Sequence, residues 1–483
     1  MAASRLDPCI FLPLDSAVLE ETVEKAKHWA LMHGICMHSK TNFNRDAVQF
    51  APFVLLPSVF PRDEFEKAVK LQPLLNELMH RVAHDHEFLV ETLKSTIEVD
   101  EFTGSLFKIY MTVQSEGITQ RWSTGLIRSD YMLHSGDNNS LKQIEINTIA
   151  SSFAGLSSQL TPFYRFVLQE LHYGDTSRNI PDNPALEGFC RGLLKAWELY
   201  EQEKAVILVV VEDVTYNICD QRFHEFKVRE LAPNVRVIRR SLTQIGETAK
   251  LGQRKELLID GLEVAVVYYR SAYEPPQYHG PLEWNARLLM ERSLAIKCPS
   301  IQYHLAGTKK VQQALAQPSV LERFLKDPQK VAAVREIFTG LYSLDFDELG
   351  EKAIQLAMSK PEHYVLKPQR EGGGNNVYGP KVRDAIERMK SSKERTAWIL
   401  MDRILPPVQH TYLIKPGATE PLKLIDIVSE LGIYGVIIGD SEEIVVNSQV
   451  GHTLRTKVST ADEGGVVFGM GALDSPFLID RSH

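Results

Sequence analysis

Residues 367–379 read KPQREGGGNNVYG and follow the short apolar run Tyr364-Val365-Leu366. Lys367 stands at the end of a predicted strand, and together with Arg370 it supplies positive charge suited to phosphate oxygens. Gly372, Gly373 and Gly374 let the backbone approach a ligand without side-chain obstruction, and successive N–H groups in such a segment form an anion-cradling nest. Glu371, beside them, offers the carboxylate that holds a hard divalent cation against the same phosphates. A bare glycine triplet is more often a loop than a site. Here the lysine at a strand end, the adjacent acid and the pair Asn375-Asn376 argue for a grip rather than a hinge.

The chain contains no GxxxxGK[ST] and no GxGxxG opening a helix, which excludes a Walker A loop and a Rossmann fingerprint. A different nucleotide-binding architecture is therefore expected. In LKQIEINTI (141–149) the residues alternate, with Ile144 and Ile146 on one face of a strand and Gln143, Glu145 and Asn147 on the other. Glu145 and Asn147, two apart, can ligate Mg²⁺ through oxygen. A second glycine loop, DEGGVVFG (462–469), follows LRTK, in which Arg455 and Lys457 share a face of an extended strand. Standing alone, that loop would read as a hairpin. His80 and His84 share a helix face, but without a compelling third acidic ligand they read as a solvated face rather than a metal site.

The elements that must position these groups follow from periodicity. Leu19, Val23, Ala26 and Ala30 mark a first helix, started by Asp15 or Ser16 and ended by Gly34, and a second helical stretch covers about 63–98. From 205 the pattern becomes AVILVVV, an amphipathic segment to about 230, VRVIR, then LEVAVVYYR. Near-continuous apolar runs separated by a helix indicate parallel strands buried on both faces. A charged helical zone (309–359) precedes the strand into the glycine motif, the strand WILMDRI (398–404), and a meander from 422 to 457 turning at Gly439-Asp440-Ser441.

The 483 residues exceed one small core and fit two or three substructures. Lys plus Arg total 54 against 62 Asp plus Glu, a net charge of -8, so no global positive field draws the chain to nucleic acid or anionic lipid. Five scattered cysteines without a CxxC suit a reducing compartment. No apolar run reaches the ~20 residues of a membrane span, and MAASRLDPCIFLPL lacks the form of a signal peptide. The expected compartment is the cytoplasm by default, with secretion left open if a leader has been removed.

Taken in order, RSDYM (128–132), QIEINTI (143–149), NICDQR (217–222), LAGTKKVQQ (305–313), KPQREGGGNNVYG, SELGIYG (429–435), and RTK with the late glycine loop resemble the eukaryotic glutathione synthetases over nearly the whole chain. The resemblance implies an α/β, order-permuted ATP-grasp fold: a body of 1–204 and 306–483 with a glycine-rich lid, and an inserted substrate-binding lobe at 205–305. It also implies a homodimer that joins γ-glutamylcysteine to glycine, or another small amino acid, using ATP and Mg²⁺. Glu145, Asn147 and Glu371 would hold Mg²⁺. Lys309, Lys367, Pro368, Gln369, Arg370 and the loop Gly372–Asn376 would bind ATP phosphates, with Tyr378, Met401, Asp402, Arg403, Ile404, Glu430, Lys457 and Glu463 around the nucleotide. The dipeptide would lie against Arg128, Ile149, Ala150, Ser151, Ser152, Thr215, Tyr216, Asn217, Gln221, Arg270, Ser271, Ala272 and Tyr273. Arg455 would meet substrate carboxylate beside Val466 and Val467. The implied reaction passes through an acyl phosphate and needs no protein nucleophile; Lys309, Lys367, Arg128 and Arg455 would stabilise its charge.

The substrate side departs from the family pattern. Thr215 and Tyr216 stand where an acid and a basic residue are usual, Ala150 replaces a serine, Ser271 follows Arg270, and Val467-Phe468 replaces a pair of alanines. Losing a charge-assisted contact costs ~1.5–3 kcal/mol, enough to shift a substrate preference tenfold. Two alternatives follow: altered donor or acceptor with weak glutathione synthesis, or nucleotide binding without ligation. Intact Lys309, Lys367, Glu145 and Glu371 speak against the second.

Overall fold

The computed structural model describes residues 4–176, 178–371, 373–418, 421–462, 466 and 471–481. Its largest sheet has seven strands in the spatial order Gln409–Ile414, Phe53–Val54, Gly471–Asp474, Ile444–Val458, Leu424–Gly439, Ser123–His134 and Ser140–Asn147. Gln409–Ile414 also pairs with Leu424–Gly439, so the first five strands close into a ring. The predicted meander is the long hairpin Leu424–Gly439 and Ile444–Val458.

The three apolar runs after 205 are parallel strands, as expected. Val206–Val210, buried throughout, lies between Val237–Arg240 and Leu262–Tyr269, and Ile296–Cys298 adds a fourth parallel strand. Helix Ile218–Leu231 makes the first crossover. Helix Ala185–Leu199 buries Leu186, Phe189 and Leu193 in one cluster with Ile207 and Val209 of this sheet and Val436 and Ile438 of the large one. The two sheets therefore share a core.

A third, antiparallel sheet of four strands, Leu341–Ser343, Trp398–Asp402, Tyr364–Pro368 and Val377–Tyr378, carries the glycine motif between its last two members. Helices Glu348–Ser359 and Pro380–Met389 bury Ala353, Ile354, Val382 and Ile386 against it. Leu341–Ser343 was hidden in the charged zone read as helical, because three residues are too few to show a period of two.

The first helix is Ser16–Met32, and the Asp15 carboxylate accepts from the N–H groups of Ala17 and Val18 at 3.0 and 3.4 Å. The stretch predicted over 63–98 is two helices, Arg62–Ala83 and His86–Leu93, because Asp85 caps the second by accepting from Phe88 N–H at 3.0 Å. His80 and His84 share a face as the spacing predicts, but His80 is buried rather than solvated. Its Nε2 lies 2.8 Å from the Asp440 carbonyl and its Nδ1 contacts the Tyr303 hydroxyl. No cluster of three or more His, Cys, Asp or Glu suited to a metal forms among the described residues. No helix among them is long and apolar enough to cross a membrane.

Burial, helped by His84, pushes His80 down from 6.5 to about 4. Burial likewise lowers His452 to about 3. The folded state thus binds fewer protons than the unfolded one below the ordinary histidine value. Stability is complete above pH 6.5 and is lost as pH falls through 6.5 toward 4. A series of urea midpoints from pH 7.5 to 5 is expected to fall with pH in wild type and to fall less steeply in His80→Gln. Parallel curves for the two proteins would exclude His80 as a source of acid lability.

Candidate active site

A cavity of about 400 Å³ opens where the large sheet, the four-stranded sheet and the sheet of parallel strands meet. Its floor is the middle of four paired strands. The register sets Arg128 opposite Asn147 and Tyr434, Asp130 opposite Glu145 and Gly432, and Glu430 opposite Arg455. Polar side chains that alternate along each strand therefore converge on one face.

Asp130, fully buried, is the hub of this floor. It accepts from Arg128 Nε and Nη2 at 2.6 and 2.8 Å, from Arg455 Nη2 at 2.9 Å, and from Asn147 Nδ2 at 2.8 Å. Arg455 also donates to Glu430. The room comes from Gly432, where a Cβ would stand 2.8 Å from Arg128 Cδ and 2.9 Å from Asp130 Oδ1. Burial pushes the Glu430 carboxyl up despite Arg455, with the nearby charges of Asp130 and Glu145 adding to the effect.

The predicted alternation in 141–149 breaks at one point. Asp130 pairs with Glu145 but Tyr131 pairs with Gln143, so Ile144 is an extra residue in its strand. Such a bulge shifts the faces: Gln143 is buried away from the site, whereas Ile144 joins Glu145 and Asn147 along the cavity. The Ile144 carbonyl accepts from Lys367 Nζ at 3.0 Å.

Lys309 opens helix Lys309–Leu315, and its Nζ donates to Glu371 Oε1 at 2.8 Å while lying 3.2 Å from Glu145 Oε2. Lys367 Nζ is 3.7 Å from the same Glu145 oxygen. The two acids picked out from separate segments thus meet on one ammonium. Burial alone would raise Glu145, but Lys309, Lys367 and Arg455 outweigh it and hold the carboxyl well below its usual range. Glu371 is raised by burial, with Glu145 adding to the effect against the pull of Lys309. Asn147 has committed its Nδ2 to Asp130 and the Arg128 carbonyl, which leaves Oδ1 as its acceptor. Two carboxylates and an amide oxygen are the donors of a hard divalent cation, whose charge would offset both the burial and the Glu145 charge that raise Glu371.

Arg370 donates to Asp100 at 2.6 Å and lies over the Phe102 ring, which ties the start of the glycine loop to helix Glu101–Glu116. Gly373 and Gly374 take φ of 77° and 81°, the left-handed region that glycine adopts without strain. Gly373, Asn375, Asn376, Tyr378 and Met401–Ile404 line this end of the cavity with Lys457. Pro368, Gln369 and Gly374 do not line it. Gln369 is turned inward, its Oε1 accepting from Lys310 N–H at 3.0 Å and its Nε2 donating to the Ala397 carbonyl. Gly372, Glu463 and Val467, with Phe468, lie outside the described residues; Val466 lines the cavity.

At the opposite end the loop Ile149–Ser152 passes from strand to helix with φ of 51° at Ala150 and 77° at Phe153. Asp220, again fully buried, holds this turn. It accepts from the N–H groups of Phe153, Gly155 and Leu156 at 2.9, 3.0 and 3.3 Å, and from Arg270 Nη2 at 3.1 Å. Arg270 donates in turn to the Ser151 carbonyl and Ser152 Oγ at 2.8 and 2.9 Å. Tyr216, Asn217 and Tyr273 complete this wall. Thr215, Gln221, Ser271 and Ala272 are buried behind it. Gln221 braces Asn217, its Nε2 donating to Asn217 Oδ1 at 3.2 Å.

Sequence reasoning missed Asp130, Asp220 and Glu212. Asp130 had a readable signal, an acid two residues after Arg128 on one strand and so on the same face. No such local signal marks Asp220, whose partners lie 50 to 67 residues away.

The family profile described as eukaryotic glutathione synthase, ATP binding domain, matches residues 16–478. The glutathione synthetase of Xenopus laevis is 45% identical over 469 residues, 96% of this chain and 98% of that protein. That of Homo sapiens is 44% identical with the same coverage. The chloroplastic glutathione synthetase of Solanum lycopersicum is 41% identical over 477 residues, 96% of this chain and 85% of that protein. Among solved structures, a glutathione synthetase-like effector of Globodera pallida in its apo form matches with a TM-score of 0.78 at 23% identity, covering 97% of this chain and 98% of that one, a likeness of fold. With this profile and these identities running through the chain that builds the cavity, the protein belongs to the eukaryotic glutathione synthase family.

Proposed function

We propose that this chain is an ATP- and Mg²⁺-dependent ligase of the ATP-grasp type that joins γ-glutamylcysteine to glycine, releasing glutathione, ADP and phosphate. The observation that carries the reading is the meeting of Glu145 and Glu371 on Lys309, beside Lys367 and under the glycine loop. Glutathione synthesis is the activity named for the relatives that match nearly the whole chain. Among the described residues no histidine or cysteine lines the cavity, and two of its three lining serines, Ser151 and Ser152, donate to carbonyls. That inventory suits a substrate carboxylate, rather than a protein side chain, as the nucleophile.

In this reading the donor carboxylate attacks the γ-phosphate to give an acyl phosphate, and the acceptor amine then displaces phosphate through a tetrahedral intermediate. Lys309 and Lys367 bind phosphate oxygens. Arg128 and Arg455, held by Asp130, face the charge that develops on the transferred phosphoryl group and the oxyanion. Glu145, Asn147 and Glu371 would hold Mg²⁺, which when bound neutralises phosphate charge. The glycine loop closes over the nucleotide and excludes water. The lobe at 205–305 presents the peptide end of the cavity, and residues 1–204 with 306–483 form the body. A cytoplasmic setting and a homodimer, both expected from the sequence, belong to the same reading, and sedimentation tests the second.

Phosphate release from Mg-ATP with γ-glutamylcysteine is the decisive assay, run with glycine, β-alanine, serine and no acceptor. Release with glycine is expected to exceed the others by about tenfold or more. Near-zero release with every acceptor, alongside ATP binding by calorimetry, would overturn ligation.

A further inference from the structure

At the peptide end of the cavity, position 215, where the resemblance leads one to expect an acid, carries a threonine. Thr215 does not line the cavity, and its hydroxyl accepts from Arg239 Nη2 at 3.4 Å and lies 3.5 Å from the Glu212 carbonyl. A different carboxylate stands in this wall. Glu212, half-buried just beyond the C-terminal end of Val206–Val210, lines the cavity with Ser152, Asn217 and Arg270.

Its surroundings leave negative charge in excess. The Gln277 side chain, itself buried, donates from Nε2 to Glu212 Oε1 at 3.2 Å and to Glu274 Oε1 at 3.1 Å, so one amide clamps two carboxylates side by side. Gln277 is held in turn by its Oε1, which accepts from Tyr273 N–H at 2.9 Å. The cations that act on Glu212 are Lys40, which lies 5.3 Å from the centre of the Tyr216 ring, and Arg270. Arg270 is already balanced by Asp220. Two clamped carboxylates, with Asp213 nearby, thus face one ammonium. Burial raises both the Glu212 and Glu274 carboxyls, and the Glu212 charge adds to the effect on Glu274. Arg270, nine-tenths buried on the same wall, keeps Nε without a hydrogen-bond partner. A guanidinium and a carboxylate lining one wall of the cavity are complementary to the head of a free α-amino acid, with its carboxylate and its ammonium.

Resting on the ligase reading above, we propose that Glu212, positioned by Gln277, is the specificity-determining carboxylate that receives the α-ammonium of the donor's γ-glutamyl residue. The acid stands three residues before Thr215, so the charge contact comes from a backbone position just after the strand Val206–Val210. The companion residue Glu274 sets the local field and keeps Gln277 in place.

The test is calorimetric titration of the whole chain with γ-glutamylcysteine and with its desamino analogue, glutarylcysteine, for wild type, Glu212→Gln and Glu212→Asp. Wild type is expected to bind γ-glutamylcysteine about tenfold or more tightly than the analogue. Glu212→Gln is expected to lose that discrimination by weakening only the amine-bearing ligand, and Glu212→Asp to recover part of it. The KM for the donor should rise in Glu212→Gln while the KM for ATP does not. Thermal unfolding of each variant separates a binding loss from a folding loss. Discrimination in Glu212→Gln equal to wild type overturns the proposal. Tight, discriminating binding by wild type without phosphate release overturns the ligase reading alone, and no binding of γ-glutamylcysteine by wild type overturns both.

Discussion

Glu371→Ala is expected to lower phosphate release from Mg-ATP by on the order of 10²–10³, while the chain stays folded. Both halves of this expectation follow from the same contacts. Glu371 shares Lys309 with Glu145, so its removal leaves the ammonium with a carboxylate 3.2 Å away rather than unpaired in the interior. It also removes the charge that crowds Glu145, so the thermal midpoint without nucleotide should hold or rise. With nucleotide and Mg²⁺, by contrast, the metal-dependent rise in the midpoint should shrink. Turnover like wild type would remove Glu371 from the cation site, and a collapse of the midpoint would show that the Lys309 contact is structural before it is catalytic.

Asp130→Asn is expected to act in the opposite sense, on the fold first. Asp130 is fully buried, holds Arg128 through two nitrogens, and touches Arg455 and Asn147 besides. Asparagine keeps the volume but removes the charge, and turns an N–H toward donors that already have hydrogens to place. Arg128, itself buried, is left without a counter-charge at its guanidinium. Stranding one partner of a buried ion pair costs ~3–5 kcal/mol, which a urea midpoint at pH 7 would read directly. Phosphate release should fall as well, because Arg128 and Arg455 lose the group that aims them. A variant as stable as wild type would mean that water enters the floor and solvates Arg128.

The parts of this site legible in the sequence are those whose logic is local. Lys367 at the end of Tyr364–Pro368, the loop after it, and Arg455 with Lys457 on one strand face all depend on neighbours within a few residues. Glu145 and Asn147 were readable for the same reason, yet Ile144 was not, because the bulge that turns it inward is set by pairing with Tyr131 across the sheet. Asp220 and Glu212 stayed hidden because an acid acquires its role from what lies across the gap: backbone N–H groups of 153–156 for one, and Gln277 for the other. Of the fold, the buried parallel runs announced themselves. Phe53–Val54 and Gly471–Asp474 did not, since they are too short to show a period and are defined by distant partners.

Those short strands bear on how the protein is made. Gly471–Asp474 fills the gap between Ile444–Val458 and Phe53–Val54, and Pro476–Ile479 lies parallel to Ser58–Pro61. While a ribosome is still decoding the codons before 471, the five-strand ring therefore stands open with unpaired edges, and the nascent chain must shelter them until Gly471–Asp474 emerges. Loss of residues 471–479 would strip nothing from the cavity's nucleotide lysines, yet it would leave the ring open between Ile444–Val458 and Phe53–Val54 and Ser58–Pro61 without its partner.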